Sequence, residues 1–437
     1  MGGDNMRRVF ERFNMNIPPV RTKWYLRPLT YLLSAPAMLR HGTIITKTGT
    51  EGLKPPYLLL CNHNSFLDFK VVTQAIYPAR ANYVVAIDGF IGREKLLRNL
   101  GCICKRKFTN DPTLVRHLMH VIKNGDIVII YPEARYSLCG TTSVLPESLG
   151  KLCKLLEVPV VTLICHGHHI TMPFWNIHNR GVNPTEAEFT VQYTVQELKK
   201  ASIDEINQKL VQAFQYDDYQ WQRDRGIRIT YKKRAEGLHK VLYQCPACHI
   251  EYKMTSEGTK LRCTACGKSW TMSEFGELCA DDRDTEFSHI PDWYEWERAN
   301  VRAEVEAGVY STGEMPVKVD TLPNARGFVR LGEGIMIHDM HGFTVRGIDV
   351  DGDPFEMVKS VPSLYSCHIE YNYLGKHGDC VDLNTLKDTW YIYPHSCAFS
   401  VTKMALATEE LYFAHKRNTG KTTEEQHKKI ARPRLYI

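Results

Sequence analysis

The stretch "LLLCNHNSFLDFK", residues 58–70, decides how the chain is read. An apolar run, Leu58 to Leu60, stops abruptly at Cys61-Asn62-His63, and Asp68 follows five residues after the histidine. A short apolar run bounded this sharply reads as a buried strand. In α/β proteins the carboxyl ends of such strands are where ligands gather. If the loop after the strand turns into a helix start, Asp68 can fold back and accept a hydrogen bond from His63. That contact would fix the tautomer and leave the other ring nitrogen free as a base. Such a base can take a proton from a substrate hydroxyl, so no serine or cysteine nucleophile is needed.

The surroundings extend the pattern. "YLLLCN", "NYVVAI", "GDIVIIYPE", "VPVVTLIC" and "EFTVQYTV" read as strands. Helical spacing runs over 71–79, 91–100, 112–123 and 147–156, with a closing helix near 202–215. This alternation predicts an α/β domain over 55–215, a buried mixed sheet flanked by helices. Before it, residues 1–54 read as an interfacial helical segment. After it come a charged, aromatic connector (216–240), a cysteine-paired unit (241–275) and a linker (276–319). A β-rich domain with Gly, Asp and Asn turns follows over 320–416, ending in one amphipathic helix at 397–416, and then a basic tail (417–437).

Length and composition agree with this division. The 437 residues allow two or three domains, and 43% hydrophobic with 24% charged residues suits a globular chain. A net charge of +6 fits anionic lipid head groups or acidic cofactors without demanding them. The opening "MGGDNMRRVFERFN" lacks the apolar core of a secretory signal, and Met6 spoils a myristoylation site. With 14 cysteines, this points to a reducing cytoplasm, where thiols are buried or bind metal. No run of about eighteen apolar residues is present, so no conventional membrane span is expected. The nearest candidate, "TKWYLRPLTYLLSAPAMLRHG" (22–42), has a short apolar core broken by Pro36, basic flanks, and Trp24 and Tyr25 suited to a head-group boundary. It reads either as a helix lying in a membrane interface or as an amphipathic helix packed on its own domain.

A His-x4-Asp spacing alone is weak, and its neighbours supply the specificity. "NHNSFLD" (62–68), "LGCICKRK" (100–107), "IIYPEARYS" (129–137) and "VPVVTLI" (158–164) follow one another at suitable distances. In this order the four blocks resemble the glycerophospholipid acyltransferase family, which includes the lysophosphatidate acyltransferases. The resemblance covers roughly residues 20–215. It implies His63 as base and Asp68 as its partner. It also implies Gly101, Lys105, Arg106, Lys107, Glu133, Arg135 and Ser137 as acceptor-binding residues. The third block departs from the family pattern of aromatic-Pro-Glu-Gly-Thr-Arg-Ser. Ala134 replaces glycine, Arg135 sits one place early, and Tyr136 holds the usual arginine position. Tyrosine cannot give the bidentate phosphate contact of a guanidinium, so the acceptor head group is in question. His166, His168 and His169 lack a matching carboxylate spacing and read as structural or site-edge residues.

Two Cys-x2-Cys hooks, Cys245/Cys248 and Cys263/Cys266, are separated by 14 residues. Gly267 suits the tight turn after the second hook, and Trp270 and Tyr252 can supply a small core. The pattern predicts a zinc ribbon holding one structural Zn2+ on four thiolates. No basic-aromatic stripe flanks it, so no nucleic-acid partner is expected. The strands and final helix of 320–416 look similar in architecture to pleckstrin-homology-like domains.

Together these readings imply an O-acyltransferase of phospholipid biosynthesis at the inner face of the cell membrane. The donor would be acyl-CoA or acyl carrier protein, and the acceptor a lysophospholipid. The alternative is a non-enzymatic, lipid-binding membrane scaffold on the same fold.

Overall fold

A computed structural model describes residues 11–282, 284–373 and 378–420. The "LLLC" run is a strand at the centre of a seven-stranded mixed sheet. In chain order the strands are β1 (Ile44–Thr48), β2 (Leu58–Cys61), β3 (Ala81–Ala86), β4 (Ile103–Lys105), β5 (Ile127–Ile130), β6 (Val160–His166) and β7 (Glu186–Tyr193). They lie side by side as β1-β7-β6-β2-β5-β3-β4. All neighbours are parallel except β6 and β7.

Every residue of β2 is buried, because both faces of the sheet are covered. Leu59 and Cys61 join a core with Val71 and Val72 of helix Leu67–Ile76. Leu58 and Leu60 face the other way, onto Leu118 and Val121 of helix Pro112–Lys123 and Leu149 and Leu156 of helix Ser148–Leu156. This two-sided burial is why β2 reads as a continuous apolar run. Asp111 caps helix Pro112–Lys123 by accepting from the Thr113 and Leu114 amides, and Pro112 occupies its first turn.

Two elements of the sheet lie outside the expected strands. β1 falls inside the segment read as helical (1–54), and β4 has only three residues. The helical part of that N-terminal segment is Leu26–His41. The expected connector (216–240) forms helix Asp218–Asp224 and buries Tyr219, Trp221, Ala235 and Leu238.

The cysteine-paired unit is a four-stranded antiparallel sheet of β8 (Met254–Glu257), β9 (Lys260–Cys263), β10 (Ser269–Met272) and β11 (Leu278–Ala280). β11 and the helix Ile290–Glu306 occupy what was read as a linker (276–319). That helix was hidden because it buries Glu297 and Arg298 along with Trp293 and Val301, which blurs its apolar stripe. Trp270 of β10 packs edge-on against Trp293 at 4.9 Å.

The C-terminal sheet is antiparallel and also has seven strands, starting slightly earlier than expected. They are β12 (Met315–Thr321), β13 (Val329–Asp339), β14 (Gly342–Asp349), β15 (Pro354–Ser360), β16 (His368–Glu370), β17 (Cys380–Asn384) and β18 (Thr389–Pro394), ordered β15-β14-β13-β12-β18-β17-β16. Helix Val401–Asn418 closes the domain and packs on helix Ile290–Glu306. The expected basic tail lies outside the described residues from 421 onward.

The α/β and C-terminal parts interlock through charge. The Arg106 guanidinium donates to the Leu322 and Pro323 carbonyls and to Thr389 Oγ1. Arg135 pairs with Glu409 at 2.6 Å, and Arg298 pairs with the same carboxylate at 2.7 Å.

Candidate active site

β2 ends at Cys61, and the chain turns into helix Leu67–Ile76 within six residues. That turn brings Asp68, on the first turn of the helix, back beneath His63. His63 Nδ1 donates to Asp68 Oδ2 at 3.1 Å. The same oxygen accepts the Asn64 amide at 2.6 Å and the Ser65 amide at 3.0 Å. These two amides hold the carboxylate at the helix start, where the helix dipole also favours negative charge. The second oxygen, Oδ1, accepts from His168 Nδ1. Burial alone would raise the Asp68 carboxyl, but the hydrogen bonds from His168 and His63 outweigh it and hold the group at about 2. Asp68 is therefore ionised throughout the physiological range.

The His63 ring is one-quarter exposed and lies between Tyr131 (4.4 Å between centroids) and Tyr136 (4.2 Å). With Nδ1 bound to Asp68, Nε2 is the ring atom available to a substrate. Its backbone is fixed as well: the His63 amide donates to Glu133 Oε1 at 3.1 Å, and the His63 carbonyl accepts from the Ser137 amide at 2.9 Å. Asn62 clasps β6 by exchanging two hydrogen bonds with the Cys165 backbone, and Tyr216 donates to Asn64 Oδ1.

His63 opens onto a cleft of about 2700 Å³. Its walls include apolar side chains such as Phe66, Phe69, Leu96, Leu145 and Leu149, and polar residues from both the α/β and the C-terminal parts. The buried thiols beside the dyad, Cys61 and Cys165, are pushed well up by burial, so neither supplies a thiolate.

Residues 44–166 match the family described as Acyltransferase. The matched stretch includes His63, Asp68 and all four sequence blocks. Among solved structures the chain is similar to the 1-acyl-sn-glycerophosphate (LPA) acyltransferase, PlsC, from Thermotoga maritima. That similarity is 15% identity, covering 44% of this chain and 77% of that one, with a TM-score of 0.35. Comparison with curated proteins gives no match.

The remaining block residues are positioned more for architecture than for open contact. Gly101 has φ +80°, and a Cβ there would meet the Val20 carbonyl oxygen at 2.7 Å. Lys105 lines the cleft and donates to the Thr109 carbonyl at 3.1 Å. Arg106 is fully buried against the C-terminal domain, donating to two carbonyls and the Thr389 hydroxyl. Lys107 lines the cleft but sits between Asp88 and Asp382. Glu133 is buried, and its oxygens accept the His63 and Ser143 amides. Burial pushes its carboxyl up to about 7 despite those two donors. Glu133 thus acts on His63 through the backbone. Arg135 is committed to Glu409, and Ser137 donates to the Thr141 carbonyl while accepting from the Gly140 amide.

Ala134, where the family pattern has glycine, has φ +55°. Glycine adopts such a left-handed turn freely, and Ala134 bears a cost of about 1 kcal/mol there. His168 is the residue whose part the sequence did not reveal. It lies just past β6, 100 positions from Asp68, and only the adjacency of β2 and β6 brings the two together.

Four sulfurs, those of Cys245, Cys248, Cys263 and Cys266, lie within 4.8 Å of one another. The Cys245–Cys266 and Cys248–Cys263 separations are both 3.7 Å. A tetrahedron with metal–sulfur bonds of about 2.3 Å has edges of about 3.8 Å. The donor set therefore fits zinc. Asp68, Cys165 and His168 also approach one another this closely, but the His168–Asp68 hydrogen bond accounts for that contact.

Proposed function

We propose that the protein moves a fatty acyl group from a thioester donor, acyl-CoA or acyl carrier protein, to the hydroxyl of a lysophospholipid or related glycerolipid. The observation that carries this reading is the His63–Asp68 dyad at the mouth of a large, partly apolar cleft, at the carboxyl end of a central strand. His63 Nε2 takes the proton of the acceptor hydroxyl as its oxygen attacks the thioester carbonyl. Collapse of the intermediate expels the thiolate, which recovers the proton from His63. Asp68 keeps Nδ1 protonated and stabilises the imidazolium formed in between. His168 and the two amides hold Asp68 in place for this role.

The reading extends to the membrane. Helix Leu26–His41 exposes Leu29, Leu32, Leu33 and Leu39, and Trp24 lies exposed just before it. Lys23, Arg27 and Arg40 flank these side chains. An apolar face with basic flanks suits insertion among anionic head groups at the inner face of a cell membrane. Among the described residues, no helix is long and apolar enough to cross a membrane. The four cysteines would hold a structural zinc, which ties the two hooks of the ribbon together far from the dyad in sequence. Incubating the purified protein with an acyl donor and a panel of lysolipids, then weighing the products, tests the reading. New diacyl products support it, and their absence with every donor and acceptor pair opposes it.

A further inference from the structure

The cleft wall built by the C-terminal domain carries a charge cluster that the dyad does not use. His368 and Glu370 lie on β16, and Asp382 of β17 stands directly opposite His368. Lys107 reaches in from the α/β side, 3.6 Å from Asp382 and 3.7 Å from Asp88. Asp88, Lys107, His368 and Glu370 all line the cleft onto which His63 opens. A ladder of rings connects the two ends: His63 to Tyr136 at 4.2 Å, Tyr136 to Phe174 at 5.6 Å, and Phe174 to His368 at 6.5 Å.

This patch is short of positive charge. The carboxyl groups of Asp88, Glu370 and Asp382 face one ammonium, that of Lys107. Burial lowers the His368 pKa and Lys107 lowers it further, while Asp382 opposes them. His368 Nδ1 lies 2.8 Å from Asp382 Oδ2. Burial pushes Glu370 up to about 8; Lys107 opposes this, and Asp88 and Asp382 add to it. A carboxyl kept protonated beside other carboxylates ionises when a cation arrives.

Of the four basic residues in the second and third blocks, three are engaged and the fourth, Lys105, donates to the Thr109 carbonyl. Arg135 is paired with Glu409, Arg106 is bonded to backbone carbonyls, and Lys107 is already shared by two carboxylates. A phosphomonoester dianion would meet net negative charge at this patch, whereas an ammonium would complete it.

We infer that the acceptor's head group bears a protonated amine in place of a phosphomonoester, received by Glu370, Asp88 and the His368–Asp382 pair. The inference rests on the acyltransferase reading of the same cleft. It makes the C-terminal domain a specificity element that supplies one side of the head-group site.

Equilibrium binding to the full-length protein, without acyl donor, tests it. The probes are three monoacyl lipids with the same short chain: the glycerol phosphomonoester, the phosphoethanolamine diester and the bare monoacylglycerol. The phosphoethanolamine lipid should bind roughly tenfold more tightly than either of the others, the size of one charge-assisted contact. Glu370→Gln, nearly isosteric, should remove most of that preference, and Asp88→Asn should reduce it. Equal or tighter binding of the phosphomonoester or the bare lipid overturns the inference, as does an amine preference untouched by both substitutions. Because binding needs no turnover, absence of acyl transfer in an activity assay would refute the reaction without touching this preference.

Discussion

Replacing Asp68 by asparagine probes the site at its most connected point. The carboxylate takes four hydrogen bonds, from the His63 and His168 rings and the Asn64 and Ser65 amides. In Asp68→Asn the amide oxygen can keep the two backbone donors, but the Nδ2 group then confronts His168 Nδ1, donor against donor. Asp68 stands at about 2 against an ordinary 3.8, so the folded state favours its charged form. At 1.36 kcal/mol per pKa unit, that difference corresponds to about 2 to 3 kcal/mol of stability at neutral pH. Asp68→Asn should lose about that much, measured by urea unfolding. A depressed carboxyl contributes stability that is fully present above its unfolded value, near 4, and lost as pH falls through about 2. The gap between wild type and variant should therefore be constant from pH 5 to 7 and close as pH falls from about 4 to about 2. Acyl transfer should fall as well, by roughly 10²- to 10⁴-fold, because His63 loses the negative charge that stabilises its imidazolium. A gap independent of pH, or turnover within threefold of wild type, would refute the reasoning.

Three further outcomes follow from other parts of the molecule. Purified protein should contain one zinc per chain, and Cys263→Ala should lose it and unfold the ribbon; metal analysis without zinc removes the claim. Arg135→Met should destabilise the fold by about 3 to 5 kcal/mol, since it strips one partner from buried Glu409; a fully stable variant with only a raised acceptor KM would make Arg135 a binding residue after all. Leu32→Ser with Leu33→Ser should weaken binding to anionic vesicles by a few kcal/mol, at about 1.5 to 3 kcal/mol per leucine buried; unchanged co-sedimentation would place the helix elsewhere than in the lipid.

The central strands and the dyad were legible because they rest on local pattern. Leu58 to Leu60 are buried on both faces, and Asp68 needs only one helical turn to reach His63. The helices at 112–123 and 147–156 showed through their helical spacing. What escaped depends on pairings distant in sequence. His168 meets Asp68 only because β6 lies beside β2, and Arg135 meets Glu409 only because the terminal helix packs on the α/β domain. The family pattern suggested Arg135 for the acceptor; nothing in "YPEARYS" reveals that a carboxylate 274 positions away is waiting for it. Helix Ile290–Glu306 was read as linker because its buried face carries charge, which pairing makes tolerable and sequence periodicity cannot show.

The most direct test of the account is acyl transfer by His63→Ala beside the wild type, at equal folded concentration, with the donor and acceptor that the wild type uses best. His63 is partly exposed and packs between two tyrosines, so the variant should fold. The account predicts that wild type forms the diacyl product and that His63→Ala slows it by roughly 10²- to 10⁴-fold while still binding the acceptor. A folded His63→Ala protein that transfers acyl groups at near the wild-type rate would contradict it.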